Sequence, residues 1–356
     1  MVRIGYQLYS ARDEAALDLE KVLREISNLG YDGVEFAGFY GKSAQEVRAL
    51  LDAYKLEALS SHVALQLIEE DMFGVIAYHL TIGCKRISVP YLLDEDRPGQ
   101  PGFARVIKVI HRFARLCQEA GILLLYHNHD FEFVKLSGSY ALDFLYDAVP
   151  ENLLQTEIDA CWVRYSGLDP AEYIKKYAGR SPVIHMKDYV CGEPTAPCMP
   201  RPESFQFRPV GVGCQDVPSI VRAAIDAGAE WLVVEHALTR GRLMELLGAG
   251  RFPPAEHDAL FLCGSFSLLD RLLQQPLAEV VGQLTLPPAV KQALLQRQGP
   301  YAQLLEVAEA CESLESARIE SAAQAAGLEA EATNRAMIMA MAWANEVGEL
   351  GGSDAL

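Results

Sequence analysis

The chain has few basic residues and lacks long apolar runs. Its 356 residues include 31 Lys and Arg against 48 Asp and Glu, so the formal net charge is −17. A surface this acidic argues against nucleic acid or a membrane surface as a partner. No run of about 18 uncharged apolar residues offers a membrane-spanning helix. The N-terminus leads straight into a strand-like segment and lacks the apolar stretch of a signal peptide, so we expect a cytoplasmic protein.

Cysteine pairs with metal-site spacing are also missing. The eight cysteines stand at positions 84, 117, 161, 191, 198, 214, 263 and 311, with no C-x-x-C among them. This spacing indicates neither a disulfide framework nor a structural zinc site. Cys191, Cys198 and Cys214 share a loop-like region, but their irregular spacing argues against zinc there as well. We expect reduced thiols.

The fingerprint of a dinucleotide-binding sheet is absent. No G-x-G-x-x-G follows the first strand-like run, and the VGVG segment at 210–213 precedes a helix instead of following a strand. This argues against a doubly wound open sheet, which is the main alternative to a closed barrel.

The chain does contain a repeated alternation of strand and helix patterns. Eight apolar runs have the length and residue types of strands: residues 2–7, 33–37, 57–62, 86–90, 122–127, 153–159, 183–187 and 231–235. Amphipathic stretches separate them, and a glycine directly follows several of these stretches. The stretches are residues 13–29, 44–54, 66–82, 103–120, 140–148, 170–177 and 217–227. Eight strands that alternate with helices predict an α/β protein with a (β/α)8 TIM barrel.

The final third of the chain has a different pattern. From about residue 239 the strand runs stop, and helix patterns separated by prolines follow at 260–273, 288–296, 301–313 and 333–347. We therefore predict a TIM barrel over residues 1–238 and an all-helical domain over residues 239–356. The helical domain could cover the barrel wall, pair two protomers as a homo-oligomer, or bind a protein partner.

Histidines and carboxylates recur at the predicted carboxyl ends of the strands, where TIM barrels carry their chemistry. A mixed set of nitrogen and carboxylate ligands suits a divalent ion, whereas any single histidine is explained equally well as a structural residue. His79 and His111 fall within predicted helices and are interpreted as packing or surface residues. The rim set comprises Glu35, His62, His127, His129, Glu132, Asp159, His185, Glu235 and His236.

Six longer segments carry a family resemblance: GYQLYSAR at 5–12, GYDGVEFAG at 30–38, YHNHDFEF at 126–133, IDACW at 158–162, HMKD at 185–188 and WLVVE at 231–235. Together they resemble the sugar phosphate isomerase/epimerase family, whose members have xylose-isomerase-like barrels with metal ligands on strands five to eight. By this resemblance Asp159, His185 and Glu235 are the ligands on strands six to eight. The fifth-strand ligand is either His127, which stands where the epimerases have a glutamate, or Glu132.

The resemblance also implies a reaction. A keto-sugar or cyclitol would chelate Mn, Co, Zn or Mg through its carbonyl and an adjacent hydroxyl, and the metal would stabilise the enediolate formed on proton loss. Glu235 is the expected base, with His127 or Glu132 as its opposite partner. The residues expected to bind substrate are Glu35, His62, His129, Lys187 and, by stacking, Trp162. A structural role is the alternative for Glu35, Lys187 and Trp162.

Several functions remain open at this point. Return of the proton would make the protein an isomerase or epimerase, whereas loss of a β-hydroxyl would make it a dehydratase of the inosose type. A metal-dependent endonuclease would need a basic groove, which the acidic composition argues against. Segments 259–270, 284–295 and 299–300 resemble the later part of an HDOD-type helical domain of bacterial signalling proteins. That resemblance keeps a non-catalytic, ligand-sensing barrel as an alternative.

Overall fold

Eight parallel strands form the centre of the computed structural model, which describes residues 2–28, 30–190, 207–208, 210–211, 213–235, 239–267, 276–284, 286–313 and 316–349. Their spatial order is β3-β2-β1-β8-β7-β6-β5-β4, and a backbone bridge between His62 and Ser88 brings β3 to β4. The predicted TIM barrel is therefore confirmed. The strands are β1 Arg3–Gln7, β2 Gly33–Phe36, β3 Glu57–Ser61, β4 Arg86–Val89, β5 Leu123–His127, β6 Leu154–Asp159, β7 Val183–Met186 and β8 Trp231–Val234.

Helices surround the barrel, and most of them begin and end within two residues of the predicted bounds. The predicted helix 66–82 is broken at Asp71, whose backbone is not helical and whose side chain caps the second half through Gly74 N at 2.8 Å. The short helix α7 was not predicted, because six residues give little periodic signal. The helices are α1 Arg12–Asn28, α2 Ala44–Tyr54, α3 Leu65–Glu70, α4 Met72–Ile82, α5 Phe103–Glu119, α6 Ala141–Ala148, α7 Ala160–Tyr165, α8 Pro170–Lys176 and α9 Val217–Asp226.

The described residues after the barrel form helices, as predicted. This helical region comprises α10 Thr239–Gly248, α11 His257–Phe266, α12 Leu277–Gln283, α13 Pro288–Gln296, α14 Ala302–Ser313, α15 Ser316–Ala325 and α16 Ala330–Glu349. It has its own buried apolar cluster, which includes Met244, Leu260 and Leu305. Tyr31 packs against this cluster and against two clusters of the barrel, so the two parts share apolar contacts. None of the described helices is long and apolar enough to cross a membrane.

Cys214 corrects the prediction of reduced thiols, because it is disulfide-bonded. Disulfide pairing depends on proximity in three dimensions, which the spacing of cysteines along the chain did not reveal. Cys191 and Cys198 lie outside the described residues. The other described cysteines, Cys84, Cys117, Cys161, Cys263 and Cys311, are buried.

His79 is a buried packing residue of α4, which agrees with its interpretation from the sequence. Its Nδ1 donates to the Val75 carbonyl oxygen at 2.7 Å, and its ring packs against Phe39 and Tyr78. Burial lowers the pKa of the imidazole to about 4, since the charged ring would lose its hydration.

We expect His79→Gln to reduce the loss of stability on acidification. Because the folded-state pKa lies below the ordinary 6.5, the stability of the wild type is undiminished above that pH and falls as the pH drops towards 4. Between pH 7 and about pH 4.5 the wild type should lose about 2 kcal/mol more unfolding free energy than the variant. Urea unfolding at both pH values measures this, with His111→Gln as the control. Equal losses in the wild type and His79→Gln would contradict the assignment.

Candidate metal centre

The barrel interior has an apolar floor beneath a polar mouth. Leu59, Leu125, Val183, Trp231 and Val233 form a buried cluster of strand residues. Successive side chains of a strand point to opposite faces, so residues two positions further along face the same way. In β5, β7 and at the end of β8 these residues are His127, His185 and Glu235, all buried. The strand pattern thus places the candidate ligands directly above the floor.

Three predicted ligands converge at this mouth. Asp159, His185 and Glu235 each offer one ligand atom, and these atoms lie within 4.8 Å of one another. His185 Nδ1 lies 3.0 Å from Glu235 Oε2. The Lys187 ammonium lies 3.0 Å from Asp159 Oδ2 and 2.9 Å from Glu235 Oε2. Burial alone would lower the pKa of Lys187, but the two carboxylates outweigh burial and raise it. Asp159, His185 and Glu235 therefore surround a position that suits a cation.

Asp159 is held in place through both its backbone and one carboxylate oxygen. Asp159 N donates to Asn128 Oδ1 at 3.0 Å, and Asn128 Nδ2 donates to the Asp159 carbonyl at 3.3 Å. Oδ1 of Asp159 caps α7 by accepting from Cys161 N and Trp162 N. Because the cap engages Oδ1, Oδ2 is directed to Lys187 and the centre of the mouth.

Glu157, which the sequence analysis missed, anchors a second group of potential ligands. Its Oε1 lies 2.6 Å from His62 Nε2, 3.2 Å from His127 Nδ1 and 3.4 Å from His185 Nε2. One atom from each of these four residues lies within 4.8 Å of the other three. The signal was available: Glu157 precedes Asp159 by two positions on the same strand, so both face the barrel interior.

Glu35 lies beside this second group. It accepts hydrogen bonds from Gln7 Nε2 at 2.5 Å and from Ser60 Oγ. Its Oε2 lies 2.6 Å from His185 Nε2 and 3.3 Å from His62 Nε2. Burial favours the neutral acid, but the imidazoles and hydrogen bonds outweigh it and lower the pKa of Glu35. These contacts therefore favour the carboxylate form of Glu35.

Glu132 is turned away from both groups. Its Oε1 accepts from the Tyr126 hydroxyl at 2.7 Å, and its Oε2 accepts from His129 N at 2.8 Å. Burial raises the pKa of this carboxyl to about 8. Of the two fifth-strand candidates, the structure brings His127 to the other ligands and leaves Glu132 against Tyr126.

Two of the predicted substrate-binding residues, His129 and Trp162, form an aromatic rim beside the ligands. The His129 ring lies 5.4 Å from that of Trp162 and stacks on Phe131 at 5.7 Å. Lys187 Nζ lies 5.8 Å from the Trp162 ring centroid. His62 belongs to the second ligand group, and His236 lies outside the described residues. The mouth thus combines carboxylates, imidazoles and flat aromatic faces.

Comparison with known proteins identifies the family to which this barrel belongs. The chain belongs to the xylose isomerase-like TIM barrel family, whose sequence model matches residues 23–250. Members include sugar isomerases/epimerases and inosose dehydratases, which confirms the family predicted from the sequence. The match ends at residue 250, so the HDOD-type resemblance of the helical region stays a prediction.

Individual relatives agree with this assignment. The chain is 25% identical to the inosose dehydratase of Geobacillus kaustophilus over 291 residues, which span 73% of this chain and 89% of that protein. Its fold is similar to a sugar phosphate isomerase/epimerase from Parabacteroides distasonis, with a TM-score of 0.55, 19% identity and coverage of 77% and 99% of the two chains. It is also similar to the IolI protein with a bound zinc atom, with a TM-score of 0.53, 15% identity and coverage of 66% and 88%.

We expect Asn128→Ala to destabilise the fold by about 2–4 kcal/mol, because it leaves a buried N–H and a buried carbonyl of Asp159 without partners. Urea unfolding measures the loss. Asn128→Asp is the matched variant: it keeps an acceptor for Asp159 N but replaces the donor by a buried negative charge that faces the Asp159 carbonyl, so at neutral pH it should cost at least as much as Asn128→Ala. No difference between Asn128→Ala and the wild type would show that the amide does not support Asp159.

Proposed function

We propose that the barrel binds a divalent cation at Asp159, His185 and Glu235 and catalyses proton abstraction beside the carbonyl of a sugar or cyclitol. The observation that carries the proposal is the convergence of these three buried ligand atoms within 4.8 Å of one another. One imidazole and two carboxylates form a donor set that suits zinc, manganese, cobalt or magnesium. The zinc atom of the IolI protein, which has a similar fold, supports metal binding by a barrel of this kind.

When bound, the cation would polarise the substrate carbonyl and stabilise an enediolate. The residues of this chain supply the proton transfer. Glu235 is the proposed base, since it lies at the mouth and its Oε2 is 2.9 Å from the Lys187 ammonium, which stabilises the carboxylate. Lys187 can also donate a hydrogen bond to a substrate oxygen. His127 lies across the centre, with Nε2 3.6 Å from Asp159 Oδ2, and is the proposed acid on the opposite side.

The aromatic rim favours a ring-shaped substrate with one apolar face. The Trp162 and His129 rings lie 5.4 Å apart at a tilt of 33° and are both partly exposed, and aromatic surfaces of this kind bind the C–H face of a sugar or cyclitol ring while polar groups hold its hydroxyls. Similarity to an inosose dehydratase over 291 residues favours loss of water from an inosose after proton abstraction. Epimerisation or isomerisation would follow if the proton returned to carbon.

We expect Glu235→Gln to lower the exchange of substrate carbon-bound hydrogen with solvent deuterium by at least about 100-fold, because the amide cannot accept the proton. NMR of an inosose in heavy water with added manganese measures the exchange. Glu172→Gln, an exposed carboxylate change on α8, is the control. Glu132→Gln separates the two fifth-strand alternatives, since loss of exchange in that variant would move the opposite acid from His127 to Glu132.

Two results would overturn this proposal. Exchange that continues in Glu235→Gln would place the base elsewhere. A wild type that binds cation and inosose without any exchange would favour the ligand-sensing alternative over an enzyme.

A further inference from the structure

We infer that the barrel holds a second cation site, formed by His62, His127, Glu157 and His185, whose ligand atoms suit zinc. It lies on the other side of the His185 imidazole from the centre proposed above, and the two sites share that residue. The inference extends beyond the proposed function, because the first centre needs neither His62 nor Glu157.

The distances match a compact tetrahedral site. Bonds of about 2.0–2.1 Å from zinc to nitrogen and oxygen place tetrahedral ligands about 3.3 Å apart. Glu157 Oε1 lies 3.2 Å from His127 Nδ1 and 3.4 Å from His185 Nε2. It lies nearer, at 2.6 Å, to His62 Nε2, so this pair would have to separate, and one atom from each of the four residues lies within 4.8 Å of the other three. Three imidazole nitrogens with one carboxylate oxygen form a donor set typical of zinc.

Two imidazole nitrogens of the proposed site approach the carboxylates without forming hydrogen bonds, whereas His62 Nε2 forms one with Glu157 Oε1 at 2.6 Å. His127 Nδ1 and His185 Nε2 are buried and make no hydrogen bond of acceptable geometry within the described residues, although each lies within 3.4 Å of a carboxylate oxygen. If these side chains formed only hydrogen bonds with each other, each donor would point at an acceptor. Metal ligands instead point their lone pairs at a common centre, so their atoms lie close together without hydrogen-bond alignment.

Charge balance argues for a cation in the same place. Glu35 and Glu157 are both fully buried, and within the described part of the chain their ion-pair partners are histidines alone. Asp159 and Glu235 differ, since Lys187 lies between them. Buried carboxylates require a compensating charge, and a divalent ion among His62, His127 and Glu157 would provide it.

The orientation of His185 separates the two sites. Its Nδ1 faces Glu235 at 3.0 Å, and its Nε2 faces Glu35 at 2.6 Å and Glu157 at 3.4 Å. One ring therefore offers a nitrogen to each side, and it would bind both ions as an imidazolate whose ring proton is lost to solvent. His127 has the same arrangement, with Nδ1 towards Glu157 and Nε2 towards Asp159.

The test is a count of bound ions in the full chain. The protein is stripped with a chelator, dialysed against zinc, and analysed by mass spectrometry of the metal together with the protein concentration. We expect two zinc ions per chain in the wild type and one in each of two isosteric variants, Glu157→Gln and Asp159→Asn. Cobalt gives a second readout, since the strong visible absorption of tetrahedral cobalt should persist in Asp159→Asn and vanish in Glu157→Gln.

The outcomes separate the second site from the first. An ion count that is the same in Glu157→Gln and the wild type overturns the second site. One ion that is lost in Glu157→Gln and kept in Asp159→Asn supports the second site and overturns zinc binding at the first centre. No zinc in the wild type overturns the second site. Should Glu157→Gln fail to fold by circular dichroism, His62→Asn replaces it, because the His62 side chain is 12% exposed and its removal disturbs packing less.

Discussion

Four buried carboxylates at one end of a barrel must be neutralised, and this electrostatic constraint organises the rest of the site. Glu35 and Glu157 lie on one side of two imidazoles, and Asp159 and Glu235 lie on the other. Ionised groups that leave water without a partner would cost the fold several kcal/mol each. The histidines and Lys187 therefore stabilise the fold in addition to any role in the chemistry of the site. A divalent cation suits such a mouth because it supplies charge without requiring a further side chain.

The strand pattern made most of this arrangement predictable, because period-two alternation ties the floor and the mouth to the same rows of side chains. Asp159, His185 and Glu235 were placed together from the ends of three apolar runs. Glu157 was missed because it lies inside a strand, where a polar residue gives no boundary signal. The position of Glu132 could not be predicted either, since it depends on a hydrogen bond from Tyr126, whose side chain packs among core residues of the barrel. Tertiary contacts of this kind leave no trace in local periodicity.

Asp159 links local structure to the centre with one side chain. One oxygen begins α7 by accepting from two backbone N–H groups, and the other faces Lys187. The cap restricts the rotation of the carboxylate, so the geometry at the mouth is set before a ligand arrives. Preorganisation of this kind is what electrostatic catalysis requires, and here it comes from a helix of six residues.

Apolar contacts join the outer wall of the barrel to the helical region. Tyr31 lies in the loop before β2, yet it packs on the apolar cluster of the helical region as well as on the barrel. Beside it, a Cβ on Gly30 would lie 2.8 Å from Leu284 Cδ2, and Phe261 of α11 packs against the barrel cluster that contains α1. A barrel expressed alone would therefore expose an apolar surface on its outer wall. The isolated barrel would therefore self-associate, and biochemical work on this protein requires the barrel together with its helices.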